Sequence, residues 1–173
     1  MKKIALIYWP KKGSTEAAAY KIYTKFNKES IDIFTITEIN TAEFSLYDAF
    51  IIGGSTTGAD NWESTHKTRW NDFFAKVDKA AIQGKPYALF GLGNQVLYPN
   101  HFADGMAFLK EVFEKRGAVL KGLWPVDGYD FEESESVENG MFCGLALDFD
   151  IQGELTDGRI ETWVAQVRQE FGI

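Results

Sequence analysis

The chain has 173 residues, 45% of them hydrophobic and 25% charged, the make-up of one domain that can build its own core without metal or disulfide support. A net charge of −7 argues against nucleic acid and suits a basic protein partner. No apolar run reaches the roughly 18 residues of a membrane span, and Met1 leads straight into a strand, so no membrane association and a cytoplasmic home are expected.

The first strand signal lies near residues 3–8, where Ile4-Ala5-Leu6-Ile7-Tyr8 breaks at Trp9-Pro10. The loop Lys11-Lys12-Gly13-Ser14-Thr15 opens into a helical pattern over about 15–28, with Ala18, Ile22, Tyr23 and Phe26 on one face. Strand, tight loop and helix in that order aim backbone N–H groups and the positive end of a helix dipole at one point. That is a ready anion site, usually for phosphate, and it raises the question of a phosphorylated cofactor.

Further strand signals lie near 31–36, 48–53 and 86–91, and a fifth falls in two pieces, near 117–121 and 141–147. Helix patterns fill about 66–80, 102–116 and 157–171. In the last, Ile160, Trp163, Val164, Val167 and Phe171 follow a period of 3.6 after an N-cap at Thr156 or Asp157. Continuously apolar strands linked by helices predict a parallel sheet covered on both faces, with right-handed crossovers: a three-layer α/β sandwich. With no repeat and no linker, residues 1–173 are expected to form a single domain.

In such a sheet ligands bind beyond the carboxyl ends of the strands, at the switch in strand order. Two further loops leave that edge, Gly53-Gly54-Ser55-Thr56-Thr57-Gly58-Ala59-Asp60-Asn61-Trp62 and Gly91-Leu92-Gly93-Asn94-Gln95-Val96-Leu97-Tyr98. Small at their bases and each carrying an aromatic further on, they could line a slot for a planar ring. Two distant histidines and one cysteine supply neither a zinc-type cluster nor a thiol nucleophile pair. Ser55 lacks the Gly-X-Ser-X-Gly context of a hydrolase elbow. Cys143, in the apolar stretch 141–147, reads as a small buried strand residue, with redox sensing a second reading.

At these loops the chain resembles the flavodoxins, and its C-terminal half makes the match close. Gly91-Leu92-Gly93-Asn94-Gln95-Val96 with Tyr98 is similar to the third flavin loop of that family. Trp124-Pro125-Val126-Asp127-Gly128-Tyr129-Asp130-Phe131 is similar to the insertion that splits the fifth strand in long-chain members. Gly144-Leu145-Ala146-Leu147-Asp148 and Leu155-Thr156-Asp157-Gly158-Arg159-Ile160 with Trp163 are similar to the family's ending. The resemblance implies a flavodoxin-like fold with a five-stranded parallel sheet in order 2-1-3-4-5. It also implies non-covalent FMN and low-potential one-electron transfer between redox proteins. The partners implied are a flavin or iron–sulfur reductase and an acceptor enzyme, served by a monomer. The residues that carry over as FMN contacts are Lys11, Lys12, Gly13, Ser14, Thr15, Thr56, Thr57, Gly58, Trp62, Leu92, Gly93, Asn94, Tyr98 and Asp150.

The departures are specific. The family's phosphate loop, Gly-Thr-X-Thr-Gly-X-Thr, stands here as Trp9-Pro10-Lys11-Lys12-Gly13-Ser14-Thr15, so two hydroxyls become Pro10 and Lys12. Lys11 and Lys12 read as an electrostatic substitute, or else as two solvated loop lysines. Thr57 stands where the family has a ring-covering Trp, within a loop about four residues longer that also carries His66. Trp62 either folds back onto the ring or faces solvent or a partner. Tyr98 fits the outer-face stacker or serves packing only, Asp150 reads as the ribityl contact or as a solvated turn aspartate, and Asn94 replaces a common Asp. His101 borders the ring or serves as a surface or capping residue. The acidic run Asp130, Glu132, Glu133, Glu135 and Glu138 reads as a solvated rim or a docking patch for a basic partner. Asn94, Thr57, Lys11, Lys12, Lys67 and Arg69 together should ease the second one-electron reduction of the flavin. Two other functions remain open: a small NAD(P)H or quinone reductase on the same fold, and a degenerate binding module.

Overall fold

The computed structural model describes residues 2–55 and 61–173, with the side chains of 61–67 outside that description. Its main sheet takes β1 (Ile4–Trp9), β2 (Ile31–Thr35), β3 (Ala49–Gly54), β4 (Pro86–Leu92) and β5 (Val119–Lys121) in the order β2-β1-β3-β4-β5, all parallel. Between β5 and the last strand come β6 (Trp124–Pro125), β7 (Val137–Glu138) and β8 (Met141–Phe142), a small antiparallel sheet of their own in order β6-β8-β7. β9 (Leu145–Leu147) then returns to pair with β4 beyond β5, at Phe90, Gly91 and Leu92. The fifth strand is thus split, as the sequence predicts. Its second piece is shorter than expected, because Met141 and Phe142 belong to the small sheet.

Alternate residues of each strand enter opposite cores. Ala5, Ile7, Phe50, Ile52, Tyr87 and Leu89 face one, and Ile4, Leu6, Ile51, Phe90, Leu145 and Leu147 the other. The first core is closed by α2 (Asn61–Phe74) and α3 (Gly105–Glu114) through Trp70, Phe73, Phe74, Met106 and Leu109. The second is closed by α1 (Gly13–Tyr23) and α4 (Thr156–Phe171) through Ala18, Ala19, Ile22, Ile160, Trp163 and Val167. Both faces are covered, which is why the strands read as unbroken apolar runs; each fully buried aliphatic or aromatic side chain contributes about 1.5–3 kcal/mol.

Three element-level expectations are corrected. α2 begins at Asn61, so Trp62 and His66 stand on a helix and not in a lengthened loop. α4 is entered through a 3-10 turn, Gly153–Leu155, which places Leu155 at the N-cap position; the buried Thr156 hydroxyl has no hydrogen-bond partner, and Asp157 instead meets Lys21 at 2.7 Å. Cys143 lies between β8 and β9 rather than in a strand; its N–H donates to the Ser136 carbonyl at 2.8 Å.

Candidate functional site

The register fixes where the loops emerge. Trp9 lies opposite Gly54, Gly54 opposite Gly91, and Leu92 opposite Leu147, so β1, β3, β4 and β9 release their following loops at one edge. The loop after β1 passes into α1 through Lys12, at φ 76° and ψ 163°, and Gly13, at φ +74°. Gly13 has no atom within 4 Å of the point a Cβ would occupy, so backbone conformation and not crowding requires glycine there. Lys12 holds a conformation essentially reserved for glycine, at a cost of about 1–3 kcal/mol. Thr15 is buried in the first turn of α1, and Ser14 is exposed beside it.

Of the two loop lysines, Lys11 has its ammonium paired, and Lys12 has its side chain exposed. Lys11 Nζ lies 2.8 Å from Glu38 Oε1, while Glu38 Oε2 accepts the Thr35 N–H at 3.0 Å. The Lys11 hydrogen bond, then the Thr35 N–H, hold the Glu38 carboxyl down to about 2, and Glu38 in turn raises Lys11 above the usual ammonium range. Lys12 donates its backbone N–H to Glu16 Oε2, so a carboxylate of the chain itself sits at the start of α1. The Tyr8 hydroxyl titrates well above its usual range, first through burial and then through the charge of Glu16. Trp9, at the end of β1, has its indole N–H buried with no hydrogen-bond partner among the described residues, and the Arg69 guanidinium lies 5.3 Å from its ring. Glu16 is legible as the residue four positions after Lys12, and Arg69 is already among the cations that the sequence sets around the loops; Glu38 carries no local signal, being brought in by the turn after β2.

The loop after β4 is tied to the loop after β9. Asn94 Oδ1 accepts the N–H groups of Val96 at 3.1 Å and Leu97 at 2.9 Å, and its Nδ2 donates to Asp150 Oδ2 at 3.0 Å. Asp148, 1% exposed, accepts from Gln95 N at 2.9 Å, Gln95 Nε2 at 3.0 Å, Asp150 N at 3.2 Å and Ile151 N at 3.0 Å. A buried carboxylate with four N–H donors is a fixed brace, and it holds Asn94 and Asp150 together at the same edge. Leu92 is buried at the end of β4, and a Cβ on Gly93 would come within 2.5 Å of the Phe102 ring, so only glycine lets the loop turn there. Tyr98 is 41% exposed at the far end of the turn, its ring open to a planar partner.

Thr56, Thr57 and Gly58 lie outside the described residues, as do the side chains of Trp62, His66 and Lys67. His101 pairs with Asp104 at 3.0 Å with its side chain about half exposed, and the N-cap position of α3 at Asp104 carries no side-chain cap hydrogen bond, so His101 is a surface residue. Within the acidic run, Glu138 meets Lys110 at 3.2 Å, and the Glu132 and Glu133 N–H groups donate to the Pro99 carbonyl, so the run is partly anchored. A cavity of about 600 Å³ lined by Lys110, Glu138 and Cys143 lies under the small sheet, away from the three loops. Burial pushes the Cys143 thiol up to about 11, which makes it a packing residue and not a thiolate. No group of three or more potential metal ligands occurs among the described residues.

The sequence model of the Flavodoxin family matches residues 6–163. A flavodoxin of Synechococcus elongatus is 40% identical over 174 residues, covering 100% of each chain. Flavodoxin 1 of Escherichia coli is 35% identical over 92% of this chain and 89% of its own. The crystal structure of a Fusobacterium nucleatum flavodoxin bound to flavin mononucleotide superposes with a TM-score of 0.83 at 28% identity, covering 99% of each chain. A parallel sheet in the order 2-1-3-4-5, three loops at one carboxyl edge and a full-length sequence match place the chain in the flavodoxin family.

Proposed function

We propose that this protein is an electron carrier that holds FMN non-covalently and passes electrons one at a time between redox proteins. The observation that carries the reading is the convergence of three loops at the edge where the flavodoxin match is continuous. The residues fit the group. A glycine-led turn opens a helix for its phosphate, an exposed Tyr98 offers a face for its ring, and the Trp9 N–H, without a partner among the described residues, is a buried donor at the same edge. Lys12, Gly13, Ser14 and Thr15 would hold the phosphate, and Leu92, Gly93, Asn94 and Tyr98 the ring, with Thr56, Thr57, Gly58 and Trp62 supplying the remaining loop. Asp150 would take the ribityl chain.

When bound, FMN supplies the redox chemistry. The protein's share is to orient the ring and set the charge around it, which needs no substrate acid or base. Partners are a flavin or iron–sulfur reductase on one side and an acceptor enzyme on the other, met by one domain over residues 1–173 acting as a cytoplasmic monomer. No helix among the described residues is long and apolar enough to cross a membrane.

The test is a titration of flavin-free protein with FMN, followed by fluorescence and visible absorption. Stoichiometric quenching with shifted flavin bands is expected. A protein that takes up no FMN contradicts the reading and favours a binding module.

A further inference from the structure

The two lysines of the phosphate loop are held differently. Lys11 is committed: its ammonium lies 2.8 Å from Glu38, whose second oxygen is held by the Thr35 N–H at the end of β2. Moving Lys11 to another anion would give up that half-exposed pair, whereas Lys12 has none to give up among the described residues. Lys12 makes no ion pair with another described residue, and its backbone sits at φ 76° and ψ 163°, a conformation that an ordinary side chain does not choose. That backbone delivers its N–H to the Glu16 carboxylate at the opening of α1. Glu16 therefore occupies a donor that an incoming phosphate would use, and it stands where the helix dipole favours negative charge.

We propose that Lys12 alone is the phosphate lysine and that Glu16 is a built-in competitor for the phosphate site, released when FMN enters. This assignment rests on the FMN reading given above. Loading exchanges a tethered carboxylate for a phosphate dianion at the Lys12 N–H, with the Lys12 ammonium alongside. No covalent bond changes. The exchange lowers FMN affinity below what the loop could otherwise give, and it narrows the gap between FMN and riboflavin, a gap that the Lys12 ammonium opens. Riboflavin, which has no phosphate, leaves Glu16 in place and gains nothing from Lys12. Glu38 is then a positioning residue that keeps Lys11 out of the site.

Binding of FMN, riboflavin and inorganic phosphate to flavin-free wild type, K11A, K12A, K12G and E16Q tests this. K12A and K12G should each weaken FMN about tenfold or more, the scale of one charge-assisted contact, with riboflavin within about twofold of wild type. K11A should leave FMN within about threefold. E16Q should tighten FMN about threefold or more without moving riboflavin, and inorganic phosphate should raise its melting temperature at lower concentration than in wild type. K12G separates ammonium from backbone, since glycine relieves the strain that alanine keeps. Wild-type affinity in K12G, equal losses in K11A and K12A, or an E16Q variant with unchanged FMN and phosphate binding would each overturn the assignment alone. Wild type that binds no FMN would overturn the flavin reading, and this assignment with it.

Discussion

At the scale of single residues, the loop after β4 carries the sharpest expectations. Tyr98 is open enough to stack, and an aromatic pair contributes about 0.5–1.5 kcal/mol beyond its buried area. Tyr98→Ala should weaken FMN by at least about that much and shift its absorption bands, as a flavin titration would read out; unchanged affinity and spectrum would remove Tyr98 from the ring. Asn94 is more constrained than its sequence position suggests, since its amide donates to Asp150 at 3.0 Å. Asn94→Asp should therefore set two carboxylates against each other and cost about 1–3 kcal/mol at neutral pH. Acidification should recover that loss by protonating one of the pair, and urea melts at pH 4 and pH 7 would measure it. The same contact returns a negative charge to the loop, which works against the easier second reduction expected from the missing aspartate. Gly13, Asn94 and Tyr98 were legible because turn chemistry and an exposed aromatic are local signals. The clamps on Lys11 and Asn94 were not, because Glu38 and Asp150 arrive from distant strands.

At the scale of elements, strand–loop–helix units were legible from apolar runs and 3.6-residue periods, while their ends were not. The start of α4 shows why: Thr156 looks like a cap, yet a 3-10 turn enters first and the hydroxyl is buried without a partner. Met141 and Phe142 are apolar enough for the main sheet, but pairing with β6 and β7 claims them. Asp148 is the brace between the loops after β4 and β9, and Asp148→Ala strands the Gln95, Asp150 and Ile151 donors. A loss of about 2–4 kcal/mol is expected, with faster amide exchange confined to these two loops. A stability within about 0.5 kcal/mol of wild type would show that the brace is dispensable.

The end of β2 has a pH signature. The folded Glu38 carboxyl, held down to about 2 against its ordinary 4.5, stabilises the fold above about pH 4.5 and loses that contribution as pH falls toward 2. Because the Lys11–Glu38 pair is about half exposed, the gain is at most about 1 kcal/mol. Wild type should exceed Glu38→Gln in stability at pH 6, with the gap closing by pH 2; a gap that persists at pH 2 would assign it to something other than charge.

At the scale of the molecule, one acidic chain covers its sheet on both faces and keeps one edge for three loops. The net charge of −7 suits basic partners, and the partly anchored acidic run of the insertion lies on the same chain. The general architecture was legible because a buried parallel sheet leaves little freedom in its pattern. If the protein were a reductase, a substrate pocket would have to form beside the three loops. The most direct test of the carrier account is NAD(P)H oxidation by the FMN-loaded protein, alone and then with a separate NAD(P)H-dependent flavin reductase. The account predicts no steady NAD(P)H consumption by the protein alone and rapid flavin reduction once the reductase is present. Steady turnover by the purified protein by itself would contradict it.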